Sequence, residues 1–178
     1  TVLNAGSYNH GYHYNTDSER LQPGQAGYPD WKSVNEHEGL ARADINLDGI
    51  EDIVGGGRWF EYLALGRFAE HIVDASYPFS RAAAGQLIEG GRPEIVLVVG
   101  DGIAPLKMYE WREGTWYPTV LLEEVDNGHS LDLLDFDGDG CLDIFNAEMR
   151  LNRGNPDARA RILLGDGRGS FQDVVITS

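Results

Sequence analysis

The chain has 178 residues, 23 glycines and a formal net charge of −15 at pH 7. This length is enough for one sizeable hydrophobic core. The acidic excess excludes a typical nucleic-acid-binding protein and disfavours anionic membranes, because both partners require clustered Lys and Arg. No stretch of the sequence reaches transmembrane length, so we expect no membrane insertion.

The first thirty residues differ in character from the rest. Tyrosines and histidines alternate there with asparagines and several glycines, and no regular strand pattern is visible. We therefore expect an irregular N-terminal segment at 1–30. The stretch 29–34 could be the outer strand of an incomplete repeat, and regular repeats are expected over 31–178.

A loop rich in oxygen side chains follows at 44–52. Side-chain oxygens stand at its positions 1, 3, 5 and 9, and Gly49 stands at position 6. A hard divalent cation needs several oxygen ligands on a tightly curved backbone, which glycine permits. The sequence therefore predicts a calcium site whose ligands are Asp44, Asn46, Asp48, the backbone carbonyl of Ile50, and Asp52.

The same layout recurs at 135–143, and two copies make a chance origin implausible. The predicted ligands of this second calcium ion are Asp135, Asp137, Asp139, the backbone carbonyl of Cys141, and Asp143. Cys141 is the single cysteine of the chain, which excludes an internal disulfide. About two calcium ions are thus expected, and metal binding should be coupled to folding because the loop carboxylates repel one another without a cation.

Neither loop is an EF-hand. Position 12, where an EF-hand has its closing Glu, is Gly55 in the first copy and Asn146 in the second. Short apolar runs bounded by Gly and Asp flank both loops, a pattern typical of strands rather than helices. Each loop is therefore predicted to connect two strands.

The repeat extends beyond the loops. Further short strands follow each loop, and a middle unit shows the same rhythm with Gln86, Ile88 and Gly90 at the ligand positions, so it is expected to hold no metal. Four short strands in a period of roughly 40 to 50 residues are the pattern of a β-propeller blade. The predicted fold is all-β, with about three four-stranded propeller blades at 31–80, 81–126 and 127–178.

The motifs DINLDGIEDIV and DFDGDGCLDIF, with the Gly-Asp-Gly-x-Gly-x-Phe turn at 165–171, resemble the FG-GAP/VCBS repeat family. This family comprises calcium-loop propellers and includes the integrin α-subunit head. The resemblance covers about 31–178 and extends to secreted bacterial members, in which a His precedes the loop and Ala-Glu-Met follows it. It implies a seven-bladed propeller in full-length members, so three blades leave open edges. A homo-oligomer, or the rest of a longer propeller, is the expected partner.

Several residues near the predicted metal strands could contact a ligand. His37, His129 and Glu148 could perform acid–base chemistry on a sugar, although capping of strands is the alternative role. Glu38, Trp59 and Trp111 could bind a ligand, with the two tryptophans as stacking platforms. Fixed aromatic positions in blades more often fill the core, and this is our expectation for Trp116.

These features predict a secreted, calcium-stabilised binding module, because millimolar extracellular calcium fills even weak loops. The resemblance to the bacterial members implies a carbohydrate ligand, such as a polysaccharide. A propeller-fold polysaccharide lyase or glycoside hydrolase is one alternative. A module for adhesion or assembly, with another protein as partner, is the second. Fold alone does not separate them.

Overall fold

The computed structural model describes residues 39–100, 102–149 and 156–177. The irregular segment expected at 1–30, the strand at 29–34, and the candidates His37 and Glu38 lie outside the described residues. Within them, no helix is present, and hence none that is long and apolar enough to cross a bilayer.

The described residues form twelve β-strands. Their bounds are β1 Ala41–Ala43, β2 Asp52–Gly55, β3 Arg58–Ala64, β4 Arg67–Ile72, β5 Ser80–Gly85, β6 Glu94–Val99, β7 Ile103–Arg112, β8 Thr115–Asp126, β9 Ser130–Leu134, β10 Asp143–Ala147, β11 Ala160–Gly165 and β12 Phe171–Thr177. Each strand pairs antiparallel with its sequence neighbour inside a group of four, giving three four-stranded meanders, β1–β4, β5–β8 and β9–β12. The predicted all-β fold of three four-stranded, propeller-like blades is confirmed.

The three sheets, called here the first, second and third blades, are built on one register. Ile53 pairs with Phe60 in the first blade, Ile95 with Tyr109 in the second, and Ile144 with Leu163 in the third. In every blade, the residue just before this isoleucine ends a connection between the first two strands. The first loop (44–52), a middle turn (86–94) and the second loop (135–143) therefore occupy equivalent places.

Two hydrophobic clusters separate the blades. Ile95 and Leu97 of β6 belong to the cluster shared with the first blade, whereas Val96 and Val98 belong to the cluster shared with the third. Successive side chains of a strand point to opposite faces, so β6 is buried on both sides. Its run of apolar residues follows from this position in the middle of the stack.

The first strands of the blades lie side by side. Strand β5 contacts both β1 and β9. A fourth-strand edge, by contrast, is exposed in the third blade, where Val174, Val175 and Ile176 of β12 are accessible to solvent. Leu134, at the end of β9, and Phe136, in the second loop, are also exposed.

The segment between the first and second blades is anchored by Asp74. Its Oδ2 accepts hydrogen bonds from the Tyr109 hydroxyl at 2.6 Å and from Lys107 Nζ at 3.3 Å. Its Oδ1 accepts the backbone N–H of Ser76 at 2.8 Å. One carboxylate therefore ties the connection that leaves β4 to strand β7 of the next blade.

Candidate metal loops and their surroundings

The second loop gathers its carboxylates in one place. One oxygen from each of Asp135, Asp137 and Asp143 lies within 4.8 Å of the others. The loop backbone holds these side chains, since Asp135 Oδ1 accepts the N–H of Gly138 at 2.7 Å and its Oδ2 accepts the N–H of Gly140 at 3.0 Å. Gly140 has a φ of 91°, a left-handed conformation that favours glycine.

Asp143, at position 9, connects the two ends of the second loop. Asp143 is fully buried, and its Oδ2 accepts the N–H of Phe136 while its Oδ1 accepts the N–H of Gly165, both at 2.8 Å. This residue therefore joins the start of the loop to the third strand of the same blade. A divalent cation bound between these three carboxylates would offset their mutual repulsion.

The donor set of the second loop fits calcium. Calcium takes six to eight oxygen ligands, from carboxylates, backbone carbonyls and water, in flexible geometry. The converging carboxylates, with Asp139 and the carbonyl of Cys141 at the next alternate positions, offer oxygen ligands and no nitrogen. Burial and the neighbouring Asp139 raise the pKa of the Cys141 thiol, so the thiol stays protonated there.

The first loop repeats this backbone pattern. Asp44 accepts the N–H groups of Asp48 at 2.9 Å and of Gly49 at 2.8 Å. Asp52 accepts the N–H of Ile45 at 3.1 Å and that of Tyr62 at 3.0 Å, as Asp143 does with its two partners. The predicted ligand residues of each loop thus lie on matching turns.

Burial raises the pKa of Asp52, although the N–H groups of Tyr62 and Ile45 act in the opposite direction. The nearby charges of Asp48 and Glu61 raise this pKa further. The carboxylates at the first loop therefore destabilise one another, which is the electrostatic condition under which a bound cation stabilises a fold.

The middle turn has the same closing hydrogen bond as the two loops but different residues at the ligand positions. Glu94 is 1% exposed, and its Oε2 accepts the N–H groups of Leu87 and Ile88 at 2.9 Å. The side-chain amide of Gln86 donates to the carbonyl oxygens of Ile88 and Gly90. One side-chain amide group thus donates to two backbone carbonyls of the same turn.

Glu148 is held by the backbone. Its Oε1 accepts the N–H of Asp126 at 3.0 Å, and its Oε2 accepts the N–H of Arg159 at 2.9 Å. Both oxygens are therefore engaged between the end of β8 and the start of β11. Glu148 lines a cleft of about 280 Å³ together with Glu124, Asp126, Asp157, Arg159 and Arg161, but its contacts are those of a structural link between two blades.

His129 lies just before β9, where its Nδ1 is 3.0 Å from Arg81 Nη2 of β5. Arg81 and His129 thus meet at the start of the first strands of adjacent blades. Acid–base chemistry at His129 stays a prediction, and its expected companions His37 and Glu38 lie outside the described residues.

The tryptophans divide into buried and partly exposed rings. Trp59 is 4% exposed and stacks on His71 at 4.2 Å between ring centroids, so it does not present a face to a sugar in this arrangement. Trp116 is 9% exposed and lies in the core, as expected. Trp111 is half-buried, contacts Trp116 edge-on at 5.2 Å, and has the Arg92 guanidinium 4.6 Å above its ring.

One residue that contacts the first loop, Glu61, was not predicted from the sequence. Glu61, on β3, reaches Asn46 of the first loop with a distance of 3.2 Å between Oε1 and Nδ2. The two residues are fifteen positions apart, and neither the loop spacing nor the strand pattern indicates their contact. Knowledge of the register between β2 and β3 would have shown it.

The comparison with protein families supports the resemblance drawn from the motifs. Residues 91–145 match the family described as FG-GAP-like repeat. The matched segment begins within the middle turn, runs through β6 to β9 and includes the whole second loop. The comparison with curated proteins finds no match.

Proposed function

We propose that this chain, which carries an FG-GAP-like repeat within three propeller-type blades, is a calcium-stabilised binding module. The observation that supports the metal most directly is the convergence of three carboxylates at the second loop. The first loop supports a second ion through its matching backbone hydrogen bonds. On this proposal each ion fixes the connection between the first two strands of a blade.

Calorimetric titration of the metal-depleted protein with calcium tests the proposal. We expect about two binding events, and one event in an Asp139→Ala variant. A matched control is Asp132→Ala, which removes the same charge from an exposed position of β9 outside the loop. The absence of any calcium uptake by the folded, unaltered protein would refute the proposal.

The proposed ligand is a carbohydrate, and the proposed location is outside the cell. The resemblance to secreted bacterial FG-GAP/VCBS proteins supports both. Millimolar calcium outside cells would keep even weak loops filled. Binding to a panel of immobilised neutral and acidic polysaccharides, measured with calcium and with a chelator, tests the ligand class. Calcium-dependent binding to one class and not to the others is the expected result.

We favour binding over catalysis because Glu148, one of the three candidate catalytic residues, accepts a backbone N–H with each of its oxygens and so has a structural role. An enzyme would release reducing ends or unsaturated products from the polysaccharide that it binds. Time-resolved assays for both products on the same panel separate the two functions. Turnover that is lost in His129→Ala, in a protein of unchanged stability, would favour the enzyme.

The exposed apolar residues of the third blade support assembly with further blades. Leu134 is 51% exposed and Phe136 is 43% exposed, whereas Leu87, the equivalent of Phe136 in the middle turn, is fully buried in the cluster between the second and third blades. Open edges and faces of stacked repeats require covering. We therefore propose a homo-oligomer, or a longer propeller, as the complete unit. Light scattering at micromolar concentration distinguishes a self-assembling chain from one that stays monomeric.

A further inference from the structure

The two loops differ at position 3. The second loop has Asp137, whereas the first has the amide Asn46. An amide can serve a cation only through its oxygen, because its nitrogen is a hydrogen-bond donor. The orientation of the Asn46 side chain therefore determines whether the first loop offers its full set of oxygens.

The environment of Asn46 sets this orientation. Its Nδ2 donates to Asp48 Oδ2 at 3.0 Å and to Glu61 Oε1 at 3.2 Å, and its Oδ1 accepts the N–H of Asp48 at 3.1 Å. Two carboxylates thus attract the nitrogen. Asp48 is itself a predicted ligand, whereas Glu61 approaches from strand β3, outside the loop.

Glu61 is in turn fixed by a histidine. Its Oε2 lies 2.8 Å from His71 Nε2, and the His71 ring stacks on Trp59 with an angle of 13° between the ring planes. Trp59 belongs to the core between the first and second blades. A continuous set of contacts therefore runs from the hydrophobic core through His71 and Glu61 to the loop.

The equivalent positions in the other blades lack this contact. The register places Glu110 and Leu164 where Glu61 stands. Leu164, behind the second loop, carries no polar atom on its side chain. Glu110, behind the middle turn, pairs with Arg112 at 3.1 Å. Among the three blades, the contact between this strand position and the loop is therefore described only in the first, where the residue at loop position 3 is the amide Asn46.

We propose that Glu61 is a positioning residue of the first calcium site, which holds Asn46 Nδ2 so that the amide oxygen serves the cation. His71, fixed on Trp59, holds Glu61 in turn. Residues that orient metal ligands in this way typically change metal affinity by about 10- to 100-fold when they are mutated. The inference rests on the proposed calcium binding.

The test is calcium titration in the Asp139→Ala background, where the first site alone is expected to bind. We expect Glu61→Leu, which introduces the residue found in the third blade, to weaken binding by about tenfold. Glu110→Leu is the matched control and should leave the affinity unchanged. Glu61→Gln should retain most of the affinity, because its amide oxygen can still accept from Asn46.

Each result of these titrations supports or contradicts a specific claim. Unchanged affinity in Glu61→Leu overturns the inference, and so does an equal loss in Glu61→Gln, which would indicate charge rather than positioning. No calcium uptake by the unaltered protein refutes the proposed function instead. His71→Phe, which keeps an aromatic ring against Trp59, serves as a second variant if Glu61→Leu does not fold. A smaller loss of affinity is expected there, and no loss would contradict the role of His71.

Discussion

Glu94 in the middle turn occupies the place that Asp143 holds in the second loop. Each carboxylate is buried, and each accepts the N–H of the second residue of its turn, Leu87 at 2.9 Å and Phe136 at 2.8 Å. The carboxylate that closes the turn is thus retained where the other predicted ligands have been replaced. The carboxylate therefore joins the turn to the second strand in both blades, whether or not the turn has the other predicted ligands.

Gln86→Ala is expected to destabilise the protein by about 0.5 to 1 kcal/mol, because two exposed carbonyl oxygens of the middle turn exchange their amide donor for water. The loss should be the same with calcium and with a chelator, since the turn is expected to hold no metal. Thermal unfolding under both conditions measures it. Gln172→Ala, on exposed β12, is the control and should have little effect. A calcium-dependent loss at Gln86 would show that the middle turn binds metal after all.

Chelation is expected to lower the melting temperature of the unaltered protein. A ligand that binds the folded state alone contributes about 2.7 kcal/mol when its free concentration is a hundred times the dissociation constant. In Asp139→Ala the effect of the chelator should be smaller, because one site remains. Differential scanning calorimetry with and without calcium provides the measurement, with Asp132→Ala as the charge-matched control. Equal melting in calcium and in chelator would contradict a structural role for the ions.

The strands and the loop spacing were predictable because both depend on local patterns. Short apolar runs bounded by Gly and Asp, and glycine at position 6 of each loop, act within a few residues. The contact between Glu61 and Asn46 depends on strand register, and a sequence read along the chain does not contain it. Gln86 was identified as a lost ligand, but its use as an internal donor depends on how its side chain turns.

The role of Glu148 shows a second limit of prediction from sequence. An acidic residue after a metal strand was open to a catalytic interpretation, because sequence gives residue type without partners. The partners are the backbone N–H groups of Asp126, at the end of β8, and of Arg159, just before β11, which lie 22 and 11 residues from Glu148 along the chain. Similarly, Trp59 could be a stacking platform until its burial against His71 is known.

The anchor at Asp74 predicts acid sensitivity. Burial acts to raise the pKa of Asp74, but hydrogen bonds from Ser76, Tyr109 and Lys107 outweigh it and lower the pKa to about 2. The folded-state pKa lies below the unfolded value of about 3.9, so the stabilising contribution is present above pH 4. It is lost as the pH falls from about 4 to about 2.

Asp74→Asn removes this titration and is expected to flatten the dependence of stability on pH in that range. Urea unfolding of both proteins at several pH values between 2 and 6 measures the difference in stability between them, which cancels the titration of the other acids. The difference should be about 1 to 3 kcal/mol near pH 6 and should shrink towards pH 2. A difference that does not vary with pH would show that Asp74 keeps an ordinary pKa.

Glu148→Ala is expected to lower the free energy of unfolding by about 1 to 3 kcal/mol, because two backbone N–H groups lose their acceptor between the second and third blades. Glu124→Ala, which changes an exposed acid of the same cleft, should cost far less. The comparison uses urea unfolding at neutral pH. Replacing a catalytic carboxylate usually costs little stability and can even increase it. Unchanged stability in Glu148→Ala, together with lost turnover, would therefore contradict the structural role of Glu148 and support the enzyme hypothesis.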